Sequence, residues 1–244
     1  MMPSAYPKPT SRRHVSWPQA AGGRPLWLLL VAITSTVATL AAGSSGQAAE
    51  ATSSRRLMGV AWLVTVHASS IDEAVAAGEA ALDRVAEIER VLSDYDRTSE
   101  VSQLMAATAA SPGQPVPISD DLASTLRRSL TLTELTDGAF DVAVGPLTAL
   151  WRQARKTGRL PNPEKLAAAM AASGRGAVTL HDRAAETRVS LNHADTKLDF
   201  GGIGMGYAID AAMALLADRG ISSAMIDASG DIAVSGPPPG RDHW

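Results

Sequence analysis

Between Val60 and His67 the chain alternates (VAWLVTVH), placing Val60, Trp62, Val64 and Val66 on one face, the period-2 pattern of a half-buried strand. The period then changes. Ser70 followed by Glu73 has the form of a capping box. Ile71, Val75, Leu82, Val85, Ile88 and Leu92 then fall on one stripe, opposite the solvated Asp83, Arg84, Glu87 and Arg90, which predicts a helix to about Leu92. Ser119 predicts a second N-cap, with Leu122, Leu126 and Leu130 at i+4 spacing and a stop near Thr136-Asp137-Gly138. Asn162-Pro163-Glu164 opens a third helix, since proline is tolerated in a first turn, and Ser173-Gly174 closes it. Short strands are expected at 178–180, 188–191, 197–200, 224–226 and 232–234, with a helix from about Tyr207 to Arg219-Gly220. No repeat of 20–50 residues is visible. The mixed order of elements predicts an α+β fold, a mixed or antiparallel sheet with packed helices.

Residues 1–50 have a different character. Arg12, Arg13 and Arg24 precede an apolar run from Leu26 to Ala42, and small residues (Gly43-Ser44-Ser45-Gly46) follow. A basic head, an apolar middle and a small-residue tail predict a secretory signal peptide, leaving 51–244 as one exported domain. The run is short and diluted by Thr34, Ser35, Thr36 and Thr39, which makes a retained membrane anchor the weaker alternative. Across all 244 residues, 45% apolar and 19% charged side chains exclude general disorder. A net charge of −3 and only 4% aromatics give no basic footprint or stacking platform, so no nucleic-acid partner is expected. The absence of cysteine excludes a disulfide framework, a thiol nucleophile and a lipid-anchored cysteine.

Three segments could carry chemistry. Asp199-Phe200-Gly201-Gly202-Ile203-Gly204-Met205-Gly206-Tyr207 places a glycine bend between a strand and a helix, where backbone amides and the helix dipole can hold a phosphate. It fits neither the dinucleotide fingerprint nor the P-loop, and a tightly packed turn would use the same glycines. Asp227-Ala228-Ser229-Gly230-Asp231 offers two carboxylates that would suit Mg²⁺ beside such a cradle, and equally the ordinary letters of a β-turn. Thr136-Asp137-Gly138-Ala139-Phe140-Asp141 could seat a planar ring, or simply stop a helix over a buried phenylalanine. The five histidines show no ligand spacing, and no G-x-S-x-G elbow supports a serine hydrolase.

Taken in order from Met58-Gly59, these segments resemble the FAD:protein FMN transferase (ApbE) family. The resemblance runs through Leu92-Ser93-Asp94-Tyr95, Ser99-Glu100-Val101-Ser102, Gly138-Ala139-Phe140-Asp141, Gly145-Pro146-Leu147 with Trp151, Asp199-Phe200-Gly201-Gly202-Ile203, Gly206-Tyr207-Ala208-Ile209-Asp210, and Asp227 with Gly230-Asp231. It implies an exported α+β enzyme that uses FAD and Mg²⁺ to attach FMN, through a phosphoester, to a Thr or Ser of a target flavoprotein. A subunit of a respiratory membrane complex is the acceptor the family suggests. By position, Met58, Tyr95, Ala139, Phe140, Asp141, Asp199 and Met205 would line the FAD site, and Gly202 would join the metal site through its backbone oxygen; no catalytic residue is assigned. Met205 stands where relatives usually carry Lys, and Met105 where they carry Asn. Relatives continue past Trp244 with Thr-Ser-Gly and His-x-x-Asp-Pro-x-Thr-Gly motifs. A C-terminally incomplete chain is therefore expected, with a non-catalytic FAD-binding relative as the alternative.

Overall fold

A computed structural model describes residues 48–183 and 186–244. The leader expected over 1–50 lies outside them except for its last three residues, of which Ala49 and Glu50 already belong to the first strand. That strand, β1 (Ala49–Leu57), pairs antiparallel with β2 (Val60–Ala68), whose alternation buries Trp62, Val64 and Val66 completely. β2 pairs in turn with β6 (Ser223–Ala228), and β6 with β7 (Asp231–Val234), giving a four-stranded antiparallel sheet of order β1-β2-β6-β7. Of the mixed and antiparallel sheets expected, the antiparallel one is present.

Two helices cover the apolar face of this sheet. α1 (Ile71–Leu92) turns Ala74, Ala81, Leu82, Val85 and Ile88 inward, and α6 (Gly204–Asp218) contributes Ala208, Ala212 and Leu216. Burying side chains of the Leu, Ile and Val size stabilises by roughly 1.5–3 kcal/mol each, so this layer is the main source of stability. Ser70 caps α1 by accepting the Glu73 amide, while the Glu73 carboxylate reaches back to Ser69 rather than to the cap itself. The Trp62 indole donates to the Leu57 carbonyl at 3.0 Å, which pins the end of β1 from inside the core.

A second sheet, of order β3-β5-β4, is formed by β3 (Val116–Pro117), β4 (Val178–Arg183) and β5 (Glu186–Leu191), and buries Val189 and Leu191. α2 (Glu100–Ala110) and α3 (Asp120–Leu135) pack near it, and α3 begins at the expected Ser119 cap. α4 (Gly145–Thr157) and α5 (Pro163–Ala171) form an outlying helical pair, α5 starting after the expected Asn162 cap. α2 and α4 have no counterpart among the elements the periodicity predicts. Conversely, the strand expected over 197–200 does not form. Those residues run irregularly beside 142–145, held by Asp199 N donating to Val142 O at 2.9 Å and Gly145 N to Lys197 O at 3.1 Å. Gly145 is required there, because a β-carbon would lie 2.5 Å from the Lys197 carbonyl oxygen.

Candidate functional site

The hairpin between β1 and β2 turns in two residues, with Met58 at φ +50° and Gly59 at φ +82°. Positive φ at both central positions marks the turn whose twist suits a hairpin, and it favours Asn or Gly at the first of them. Methionine in the left-handed region costs about 1–2 kcal/mol. The Glu89 carboxylate on α1 holds the turn by accepting the Met58 amide at 2.8 Å. The result aims the thioether at the start of α6. A β-carbon on Gly204 would lie 3.5 Å from Met58 Cε and 3.6 Å from Leu92 Cδ1.

A pocket of about 430 Å³ opens here, lined by Met58, Glu89, Leu92, Asp94, Tyr95, Phe200, Gly201 and Met205, among others. Apolar side chains thus meet the N-terminus of α6. The N-cap, Ile203, offers no capping side chain, and the first turn holds no acidic residue. The amide of Gly204 bonds back to Phe200 and that of Gly201 to Asp199, leaving those of Gly202, Met205 and Gly206 without acceptors among the described residues. Uncompensated amides at a helix start, with its partial positive charge, form an anion-binding concavity. Tyr207, in the same first turn, is anchored to the body of the protein. Its hydroxyl donates to Asp121 at 2.8 Å, and Asp121 also takes the Arg84 guanidinium. The Arg84 hydrogen bonds, with help from Tyr207, hold the Asp121 carboxyl below the usual range, while burial and then Asp121 push the Tyr207 hydroxyl up.

Asp199 stands behind the bend with only a tenth of its side chain exposed. One carboxylate oxygen accepts the Gly201 amide at 2.9 Å. The other accepts Thr148 Oγ1 at 2.8 Å and Arg152 Nη2 at 3.1 Å, both from α4. Asp199 therefore shapes the glycine bend from beneath. Arg152 also pairs with Asp94 at 3.1 Å and lies over the Tyr95 ring, 5.1 Å from its centroid.

The residues that the resemblance placed in one site separate into two groups. Met58, Tyr95 and Met205 line the pocket and Asp199 backs it. Ala139, Phe140 and Asp141 do not line it. Phe140 approaches Gly202 so closely that a β-carbon there would sit 3.3 Å from the ring. Asp141 is occupied by backbone, accepting Ala143 N at 2.9 Å and Gly174 N at 2.8 Å. Gly202 faces a second cavity of about 470 Å³, shared with Arg128, Tyr207, Asp210 and Asp231. No group of three or more His, Asp or Glu side chains converges as a metal cage among the described residues. Asp227 accepts the Gly230 amide at 2.8 Å, so the 227–231 segment performs turn work.

Two motifs prove to be scaffold. Ser99 caps α2 and donates to the Ser93 carbonyl at 2.6 Å, and Glu100 accepts both the amide and the hydroxyl of Ser119. Together they fix the chain on either side of Tyr95. Met105 approaches the Leu198 amide through its sulfur at 3.2 Å, a weak acceptor for a backbone donor. Arg152, Thr148 and Glu89 escaped the reading of the sequence. The available signal was Pro146 at a first-turn position, ahead of Leu147, Leu150 and Ala154, which marks α4 and puts Thr148 and Arg152 on one face.

Residues 58–244 match the ApbE family profile. The FAD:protein FMN transferase of Haemophilus influenzae is 29% identical over 159 residues, covering 62% of this chain and 45% of that protein. The FAD:protein FMN transferase of Salmonella typhimurium is 28% identical over 148 residues, 60% of this chain and 41% of that protein. The chain thus spans less than half the length of these curated relatives. Among solved structures, the flavin transferase ApbE from Vibrio cholerae superposes with a TM-score of 0.71 at 23% identity, over 81% of this chain and 62% of that one. The ApbE protein from Thermotoga maritima gives 0.68 at 27%, over 79% and 61%.

Proposed function

Since this chain belongs to the ApbE family, we propose that it binds FAD and transfers FMN to a protein. The observation that carries the proposal is the meeting of the Met58–Tyr95–Met205 pocket with the uncapped start of α6. The pocket suits an aromatic ring system, and the free amides of Gly202, Met205 and Gly206 suit the pyrophosphate attached to it. In the transfer, a Thr or Ser hydroxyl oxygen of the acceptor bonds to the flavin-side phosphorus. The bridging P–O bond breaks, and AMP and a proton are released. Such a step needs positioning and charge stabilisation more than covalent help. Here Asp199 fixes the bend, Tyr207 anchors the helix start and the unpaired amides would be the donors available to the phosphates.

Mg²⁺ enters the proposal by family resemblance. Gly202, Asp210 and Asp231 line one cavity and with the Gly202 carbonyl would offer oxygen donors there, beside the Arg128 guanidinium that lines the same cavity. Oxygen is the right chemistry for a hard cation that keeps water and shares substrate phosphates, although the set is incomplete on its own. When bound, the ion would offset pyrophosphate charge. The composition of residues 1–50 supports export, and an acceptor outside the cytoplasm, such as a subunit of a respiratory membrane complex, is proposed accordingly. Among the described residues no helix is long and apolar enough to cross a membrane.

The test combines purified chain, FAD, Mg²⁺ and a flavoprotein domain bearing an acceptor Thr. FAD binding is followed by flavin fluorescence, and transfer by fluorescence that survives denaturation and is lost when the Thr is replaced by Ala. Absence of FAD binding by folded protein overturns the reading. Binding without covalent flavin retains the site and removes the transfer step.

A further inference from the structure

We propose that Arg152 is the positioning residue of this site, a guanidinium clamp that orders the Tyr95 ring as the stacking platform for the ligand's isoalloxazine; this rests on the reading of the pocket as an FAD site. Tyr95 follows the C-terminus of α1 and is 78% exposed, with no hydrogen bond from its hydroxyl among the described residues. A side chain so placed would ordinarily sample several rotamers. Arg152 prevents this. Its Nη1 takes Asp94, the residue before Tyr95, its Nη2 takes Asp199, and its guanidinium carbon lies over the phenol ring, 5.1 Å from the centroid. The ring stays largely exposed where it lines the pocket. An electron-rich phenol held open in this way suits an electron-poor isoalloxazine, and ordering the ring beforehand removes a cost that binding would otherwise carry.

The same contacts exclude a different role. Both arms of the guanidinium are taken by carboxylates, so Arg152 is already neutralised and is not a free cation for pyrophosphate. Arg152 stands behind Asp94 and Tyr95, and no cationic side chain lines the pocket itself among the described residues. Phosphate is therefore left to the amides of the glycine bend, and ring and phosphate are handled by separate parts of the site. The fork is essential to this arrangement. A single ammonium lacks the two separate arms that reach Asp94 and Asp199 here, so lysine is not an equivalent substitution.

The experiment uses the full chain with 3-fluorotyrosine incorporated and compares wild type with Arg152→Met, Arg152→Lys and, as a control on the same helix, Arg155→Met. In apo protein the ¹⁹F resonance of Tyr95, assigned with Tyr95→Phe, is expected to narrow and move toward the free-tyrosine shift in both Arg152 variants, and to stay unchanged in the control. FAD titration is expected to give about a tenfold higher Kd in both Arg152 variants, the factor made by 1.4 kcal/mol, with weaker flavin quenching at saturation. An unchanged Tyr95 resonance in Arg152→Met overturns the proposal whether or not FAD binds. So does Arg152→Lys behaving as wild type, since charge alone would then suffice. If Tyr95 loosens while wild type takes up no FAD, the clamp stands and the FAD reading falls.

Discussion

Gly145→Ala sets local propensity directly against tertiary packing. Gly145 is the first residue of α4, and glycine-to-alanine changes in helices stabilise by up to about 1 kcal/mol in the interior and less in a first turn. Propensity alone therefore predicts a small gain. Here the new methyl would lie 2.5 Å from the Lys197 carbonyl oxygen, 2.7 Å from its Cβ and 2.8 Å from its carbonyl carbon. Two of these three atoms are backbone and cannot swing away, so α4 must lift from the 197–199 segment. Overpacking of this kind costs about 1–3 kcal/mol. The Gly145 N to Lys197 O bond is lost with it, worth about 1 kcal/mol. The expected net loss is about 2–3 kcal/mol, or roughly 5–10 °C in Tm for a domain of this size. Gly206→Ala is the matched control. It also lies in the first turn of a helix, with nothing within 4 Å of the added carbon, and should gain about 0.5–1 kcal/mol. Urea unfolding of the three proteins decides the matter. A Gly145→Ala protein as stable as wild type would refute the close approach of α4 to the 197–199 segment.

Asp121→Asn should cost about 2 kcal/mol at pH 7, between the values for exposed and buried pairs, because Arg84 and Asp121 are about a quarter and a fifth exposed. Since Arg84 depresses the Asp121 pKa in the folded state, its contribution is present above the unfolded value near 4 and disappears as pH falls through the folded value. The difference between wild type and Asp121→Asn, followed by unfolding from pH 7 to 2, should shrink below about pH 4; a constant difference counts against the pairing. Trp62→Phe should lose about 2–3 kcal/mol by denaturant melt, because the Leu57 carbonyl loses its buried donor and a cavity opens. Met58→Asn should be close to neutral for stability, relief of about 1 kcal/mol of left-handed strain offsetting a similar loss of apolar burial. It should nonetheless weaken FAD binding several-fold by titration, and a loss above about 2 kcal/mol would show that the turn is not strained.

The elements best read from the sequence are those in which periodicity and capping agree. β2, α1 and α3 carry a regular apolar stripe, and α1 and α3 also have a serine at the cap, so local and tertiary preferences coincide. β1 was hidden because AEATSSRRL is polar on its outer face and its inner face holds Ala51 and Ser53. α4 was hidden because only Gly145 is buried in it, so no core stripe exists to be seen. The pocket followed the motifs through Met58, Tyr95 and Met205, residues that contribute from fixed points in the chain. Arg152 was not legible, because an arginine on an exposed helix looks like solvation until Asp94 and Asp199 are placed beside it; for Asp141 the structure adds two backbone partners that no sequence pattern announces.

The pocket draws on a hairpin turn at residue 58, the segment after α1 at 93–95 and a bend at 199–206, joined by no short stretch of chain. Contacts of such long sequence separation form late, because closure of large loops is entropically expensive. On this ground the β1–β2 hairpin and α1 are expected to form before the pocket does. Uptake of ligand would register the final closure and, by favouring only the closed form, would raise the melting temperature in step with ligand concentration.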